Sequence, residues 1–213
     1  MEITEEGLKE IMDFLHEIGK LKEVKRQGWV VSGVKDAQNS AEHSFRFALM
    51  AMVLGGGRGI DVDKAIKMGL IHDLAEARIG DIITWKGLQM GEKEKLQKER
   101  KAITDMVKSL GETGKEILEL WEEFEFGGTP EARFAKEVDK LEMVFQAFEY
   151  EKDERVRDTL NSCINTFYDY DDKDSAGAVR SEDLRKLTDR IMKLRKGMGF
   201  DKGNRYPKPE TDK

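Results

Sequence analysis

The chain has 213 residues, enough for one compact domain with a substantial core. Its 37 Lys and Arg residues against 43 Asp and Glu give a formal charge of −6. These charges alternate along the chain and form no clustered basic face, which excludes a nucleic-acid polymer as the natural partner.

A single cysteine, Cys163, rules out an intrachain disulfide framework or thiolate cage, and no apolar run reaches the length of a bilayer. The first residues read directly as a charged helix and not as the apolar core of a signal peptide. A cytoplasmic enzyme or binding protein, away from membranes, is therefore expected. Two of the three prolines fall in the last seven residues, so the interior lacks the residue that most reliably breaks helices.

From Ile3 to Leu21, the residues Leu8, Ile11, Met12, Leu15, Ile18 and Leu21 recur at helical spacing. His16 lies beside this stripe and has no acidic partner at metal spacing, so it reads as structural or surface. The segment from Lys22 to Gln38 contains Arg26-Gln27-Gly28-Trp29-Val30-Val31-Ser32-Gly33, which is too short and glycine-broken for a helix. An ordered connection that fixes Arg26 and Trp29 is expected there. Asn39, with Glu42 three residues on, makes a capping box for a helix through His43, Phe47, Ala48, Leu49 and Met52 that stops at Gly55-Gly56-Gly57. That glycine run lacks the Gly-Lys-Ser/Thr of a phosphate loop. Met50, Met52 and Met68 read as ordinary helical core.

Asp61 or Asp63 caps the next helix, which carries Ile66, Leu70, Ile71, His72 and Leu74 and ends near Ala77 to Gly80. A charged helix from about Gly91 to Leu110 buries Leu96, Ile103, Met106, Val107 and Leu110. Another, from Thr113 to about Glu125, carries Ile117, Leu120, Trp121 and Phe124. After Thr129-Pro130 a helix bears Val138, Leu141, Val144 and Phe148, and two more cover Glu154 to Tyr168 and Ser181 to Lys196. The segment from Asp169 to Asp183 brushes against an EF-hand loop, but Ala176 and Arg180 occupy ligand positions, so an inter-helix loop is expected. The fold class is an all-α single domain, a bundle of six to eight helices over residues 1–196 with a polar tail at 197–213.

The chemistry begins at His72-Asp73, which interrupts an apolar helix where an unpaired carboxylate is costly. Glu76 shares that side of the helix, and Asp81 follows just beyond its end. Taken alone, the doublet reads as a helix end dressed with charges and one satisfied core histidine. His43 and Asp139 shift that reading, because each is a polar residue on a helix otherwise strongly apolar. Two histidine nitrogens and two carboxylate oxygens suit one divalent ion (Mn, Fe, Co, Ni or Zn) and leave coordination positions for water and substrate.

Ala41-Glu42-His43-Ser44, Ile71-His72-Asp73-Leu74-Ala75-Glu76, Gly80-Asp81 and Glu137-Val138-Asp139-Lys140-Leu141 together resemble the H…HD…D signature of HD-domain phosphohydrolases, in particular the 5′-deoxynucleotidase subfamily. The resemblance spans about residues 8 to 170. It implies His43, His72, Asp73 and Asp139 as metal ligands at the centre of an HD-type bundle. It further implies Glu76 as the residue that orients the reacting water or moves its proton, and Asp81 near the sugar. Arg26 would contact the phosphate, and Trp29 would wall the sugar against a 2′-hydroxyl. In bacterial members the Arg and Trp are adjacent, whereas Gln27-Gly28 separates them here. Thr84 falls where the family has a threonine after Gly-Asp, although Ile82-Ile83 replaces the usual Leu-Pro. A homodimer acting on a small nucleotide is implied as well. Two readings compete: another phosphodiesterase or triphosphohydrolase on the same centre, and a non-catalytic module that binds a nucleotide.

Overall fold

The computed structural model describes residues 4–83 and 90–201. Among these the chain is all helix, joined by short turns and one isolated bridge between Lys25 and Asn39. Seven helices have ten residues or more: α1 Glu5–Gly19, α3 Ser40–Leu54, α4 Val62–Ile71, α6 Glu92–Val107, α7 Gly111–Phe126, α8 Pro130–Lys152 and α10 Glu182–Gly197. Three are single turns: α2 Gln27–Val31, α5 Glu76–Ile79 and α9 Glu154–Arg157. No helix among the described residues is long and apolar enough to cross a membrane.

The central element is α8. Thr129 caps it by accepting from the backbone of Ala132, and Pro130 opens its first turn, where the missing N–H costs nothing. Val138, Leu141, Val144 and Ala147 are fully buried along it, against α3, α4, α7 and α10. Deleting the Leu141 side chain to alanine would cost about 2–5 kcal/mol. A second tie is ionic: the buried Arg195 of α10 pairs with Glu151 of α8 at 2.8 Å and donates to Asn165 at 2.5 Å.

Five local expectations differ from the structure. Gln27–Val31 is a one-turn helix, with Arg26 as its N-cap and Trp29 inside it. The helix through His72 stops at Ile71 and resumes as α5 at Glu76, because Leu74, Glu76 and Ala77 bond three residues back and tighten the turn. Glu154 to Tyr168 is not one helix: Asn161 donates through its backbone to Ser32 and through its side chain to Val31, and a 3₁₀ segment, Ser162–Tyr168, follows. These long-range bonds to α2 outcompete local helix continuation. The methionine cluster also splits, with Met68 fully buried and Met52 62% exposed. At the other end, Phe200 is buried in the cluster around Trp29 and Ile164, so the chain is still packed three residues past the expected start of the tail. Residues 202–213 of that tail lie outside the described residues.

Candidate metal centre and active site

Helix α3 begins at a complete capping box: Asn39 accepts from Glu42 N–H, and Glu42 returns the bond to the Asn39 backbone. That start fixes His43 in the first turn, where it is fully buried. His72 closes α4 as its C-cap, and Asp73 lies in the tightened turn before Glu76. The two helices approach closely because Gly69 faces Phe47; a Cβ at Gly69 would lie 2.8 Å from the ring. His72 Nε2 and His43 Nε2 are consequently 3.3 Å apart. Phe47 and Phe124 pack around His72, with ring centroids at 5.0 and 5.2 Å, and Trp121 Nε1 donates to the His72 carbonyl at 3.1 Å.

Asp73 Oδ2 lies 3.1 Å from His72 Nε2 and 3.9 Å from His43 Nε2. From α8, Asp139 Oδ1 approaches His43 Nε2 at 3.1 Å, while Oδ2 sits 3.0 Å from Lys140 Nζ. Asp139 Oδ1 is buried and makes no hydrogen bond of good geometry. His43, His72 and Asp73 form a cluster whose ligand atoms all lie within 4.8 Å of one another.

These residues fit a divalent cation for a reason internal to the site. His72 Nδ1 donates to the Gly69 carbonyl at 3.0 Å, and His43 Nδ1 donates to Glu142 Oε2 at 2.5 Å. With both Nδ1 positions protonated, the neutral rings present two Nε2 lone pairs to each other and to two carboxylates. A divalent cation satisfies that group together, and carboxylate or carbonyl support behind each histidine is the usual way ligand imidazoles are oriented.

The electrostatics agree. Burial and the nearby Arg26 charge oppose protonation of His43, but Glu142 and Asp139 outweigh them and push it up to about 9 when no cation is present. Burial likewise opposes ionisation of Asp73 and Asp139, yet Asp73 is held well below the usual carboxylate range by His72 and Arg26, and Asp139 by Lys140 and His43.

Arg26 reaches this cluster from the N-terminus of α2. Its Nη1 donates to Asp73 Oδ2 at 2.6 Å and lies 4.0 Å from Glu76 Oε1. Surrounding carboxylates keep its guanidinium charged against the cost of burial. Glu76 is buried, and its Oε2 accepts from Ser40 Oγ at 2.5 Å. Burial, Asp73 and Asp81 push its carboxyl well above the ordinary range. Asp81 accepts from the Gln27 backbone N–H at 2.6 Å, tying the start of α2 to the turn after α5. Trp29 is 1% exposed; its ring packs against Phe167 at a centroid distance of 4.0 Å, and it is part of the cavity lining. Thr84 lies outside the described residues.

A cavity of about 620 Å³ opens onto the cluster, within the range of small-molecule sites. Arg26, Asp73, Glu76, Asp81, Lys95 and Asp139 are part of its lining. The sequence reading missed Glu142, Gln38 and Ser40. Glu142 carried the same signal as Asp139, a carboxylate in a buried stretch of α8, one helical turn further on. Ser40 and Gln38 carried none, since short polar residues before a helix are ordinary capping composition.

Residues 18–181 match the HD domain family. The "5'-deoxynucleotidase HDDC2" of Dictyostelium discoideum is 42% identical over 149 residues, covering 66% of this chain and 77% of that protein. The protein of the same name from Homo sapiens is 36% identical over 166 residues, covering 76% and 80%. Among solved structures, a "Predicted metal-dependent phosphohydrolase from Magnetospirillum magnetotacticum MS-1" superposes with a TM-score of 0.69 at 25% identity, covering 93% of this chain and 98% of that one.

Proposed function

This chain belongs to the HD-domain family, and from that premise we propose that it hydrolyses deoxyribonucleoside 5′-monophosphates to deoxynucleosides and phosphate, using one divalent ion. The observation that supports this best is the pair of histidine Nε2 atoms 3.3 Å apart, flanked by Asp73 and Asp139 and open to a cavity that Arg26 also lines.

His43, His72, Asp73 and Asp139 would hold the ion, and this donor set accommodates Mn²⁺, Fe²⁺, Co²⁺, Ni²⁺ or Zn²⁺. When bound, such an ion supplies Lewis acidity, easing loss of a proton from water and drawing charge from a phosphoryl oxygen. Arg26 brings a permanently charged guanidinium whose two-pronged donors match a phosphate, and it does so from a site already dense in carboxylates. That counter-charge matters because a phosphate dianion otherwise meets Asp73 and Asp81.

Hydrolysis takes a proton from water and returns one to the departing 5′ oxygen. Glu76 is suited to hold that proton at Oε1, since Ser40 donates to Oε2 and burial favours the protonated carboxyl. Asp81, which lines the cavity, would sit near the sugar. Trp29, fixed by its packing against Phe167, would wall the sugar and limit room for a 2′-hydroxyl.

A cytoplasmic homodimer belongs to the same reading. Phe45, Leu49, Met52 and Val53 recur at helical spacing on α3 and are exposed, Val53 at 77%, and that apolar face supports a second copy as partner.

The test is phosphate release from deoxy and ribo mono- and triphosphates with added Co²⁺ or Mn²⁺, beside Glu76→Ala. Release from deoxyribonucleoside monophosphates, reduced about 10²–10⁴-fold in Glu76→Ala with Co²⁺ still bound, is the expected result. Release from triphosphates alone would transfer the centre to another substrate class. Co²⁺ binding without any hydrolysis would leave a nucleotide-binding module.

A further inference from the structure

Glu142 is fully buried, and each of its oxygens is committed. Oε2 accepts from His43 Nδ1 at 2.5 Å; Oε1 accepts from Gln38 Nε2 at 2.8 Å and from Arg46 Nε at 2.7 Å. Gln38, also buried, is bonded on all four of its polar groups. Its Oε1 accepts from Trp29 Nε1 at 3.1 Å, its carbonyl accepts from Arg26 N–H at 2.9 Å, and its N–H donates to Tyr150 Oη at 2.8 Å. The amide has one satisfying orientation, because the indole can only donate and the carboxylate can only accept.

We propose that Glu142 and Gln38 are positioning residues: Glu142 holds His43 in the tautomer that turns Nε2 toward the metal, and Gln38 links that carboxylate to Trp29 and Arg26. The metal ligand, the phosphate contact and the wall beside the sugar are thereby set as one hydrogen-bonded unit. This rests on the reading of the metal centre and of Trp29 given above.

Glu142→Gln exposes the logic, because it preserves shape and removes the acceptor. If the new amide turns its oxygen to His43, its NH₂ meets the donors of Gln38 and Arg46. If it turns its NH₂ to His43, Nδ1 must become the acceptor, and the proton moves to Nε2, where a metal would bind. Either arrangement weakens the site, with a loss of roughly 10–100-fold in metal affinity, the usual effect of removing such a support. Gln38→Met acts on the other branch. It leaves the Trp29 N–H buried without its partner while Glu142 keeps His43 and Arg46. The KM for dAMP should rise about tenfold with kcat nearly unchanged, the effect of one buried hydrogen bond on binding, while Co²⁺ affinity stays close to wild type.

The experiment titrates the full chain with Co²⁺, following visible absorption, for wild type, Glu142→Gln and Gln38→Met, with thermal melts alongside. A parallel measurement needs no variant: ¹⁵N spectra of the Zn²⁺-loaded wild type, where only three histidines must be assigned. His43 should carry a slowly exchanging Nδ1 proton, with the metal-shifted resonance on Nε2. Weakened Co²⁺ binding in Glu142→Gln, a raised KM in Gln38→Met and that tautomer support the proposal. Metal on His43 Nδ1, wild-type Co²⁺ affinity in a folded Glu142→Gln, or a wild-type KM in Gln38→Met overturns it while leaving the metal centre standing. No Co²⁺ binding by the wild type overturns the metal reading and the positioning role with it.

Discussion

Gly33 sits at φ +92°, directly after the turn that carries Trp29, and a Cβ there would lie 2.1 Å from the Thr159 carbonyl oxygen. Gly33→Ala therefore meets two costs at once. Holding an L-residue in that backbone region costs roughly 1–2 kcal/mol. Moving a backbone carbonyl by about an ångström in a packed region adds roughly 1–3 kcal/mol. The reduced freedom of the unfolded chain returns only about 0.4–1 kcal/mol. The net loss is about 3 kcal/mol, which lowers Tm by roughly 6–12 °C in a chain of this size.

The disturbance has a direction as well as a size. Val34 N–H bonds the Trp29 carbonyl, and Asn161 bonds Val31 and Ser32, so displacing residue 33 loosens α2 against the 3₁₀ segment. The histidine pair belongs to α3 and α4 and should be spared. Urea denaturation should show the loss in stability, a Co²⁺ titration should give near wild-type affinity, and the KM for dAMP should rise. A variant as stable as wild type, or one that loses Co²⁺ while keeping its KM, would refute this account of how α2 is held.

Two further outcomes follow from buried charges. Burial pushes the Glu99 carboxyl up to about 7 from 4.5, with Lys95 opposing and Glu125 and Asp73 adding to the shift. Its folded-state affinity for the proton is raised, so its contribution to stability is complete below pH 4.5 and is lost as pH rises through 7, by at most about 3 kcal/mol. Comparing urea midpoints of wild type and Glu99→Gln at pH 5 and pH 8 should show the variant gaining on the wild type at the higher pH; parallel curves would contradict it. Arg195→Met leaves the buried Glu151 carboxylate without its guanidinium and should cost about 3–5 kcal/mol in a thermal melt, with Co²⁺ affinity unchanged.

The parts of the site that were legible in sequence are those where a polar residue contradicts its surroundings. His43 follows a capping box on an apolar helix, and Asp139 sits between Val138 and Leu141, so burial of both could be inferred. The interruption after Ile71 was not legible, because Leu74 and Ile79 keep the apolar spacing going and no proline or glycine marks the turn. Helix α2 and the break near Asn161 were hidden for a related reason. Each depends on the other through bonds spanning about 130 residues, and local composition carries no trace of such pairing. Glu142 was readable by the logic applied to Asp139, but its partner Gln38 was not. Helix α1 shows the limit of periodicity: its stripe exists, yet Leu8, Met12 and Leu15 remain exposed, at 42% to 55%.

The central claim is that the His43, His72, Asp73 and Asp139 cluster holds the ion on which hydrolysis depends. The most direct measurement strips the chain with chelator, then follows phosphate release from dAMP while Mn²⁺ or Co²⁺ is added back to wild type and to His72→Ala. The account predicts negligible release before addition, saturating recovery in wild type, and none in a folded His72→Ala. Release that persists without metal, or that His72→Ala recovers equally, would contradict it.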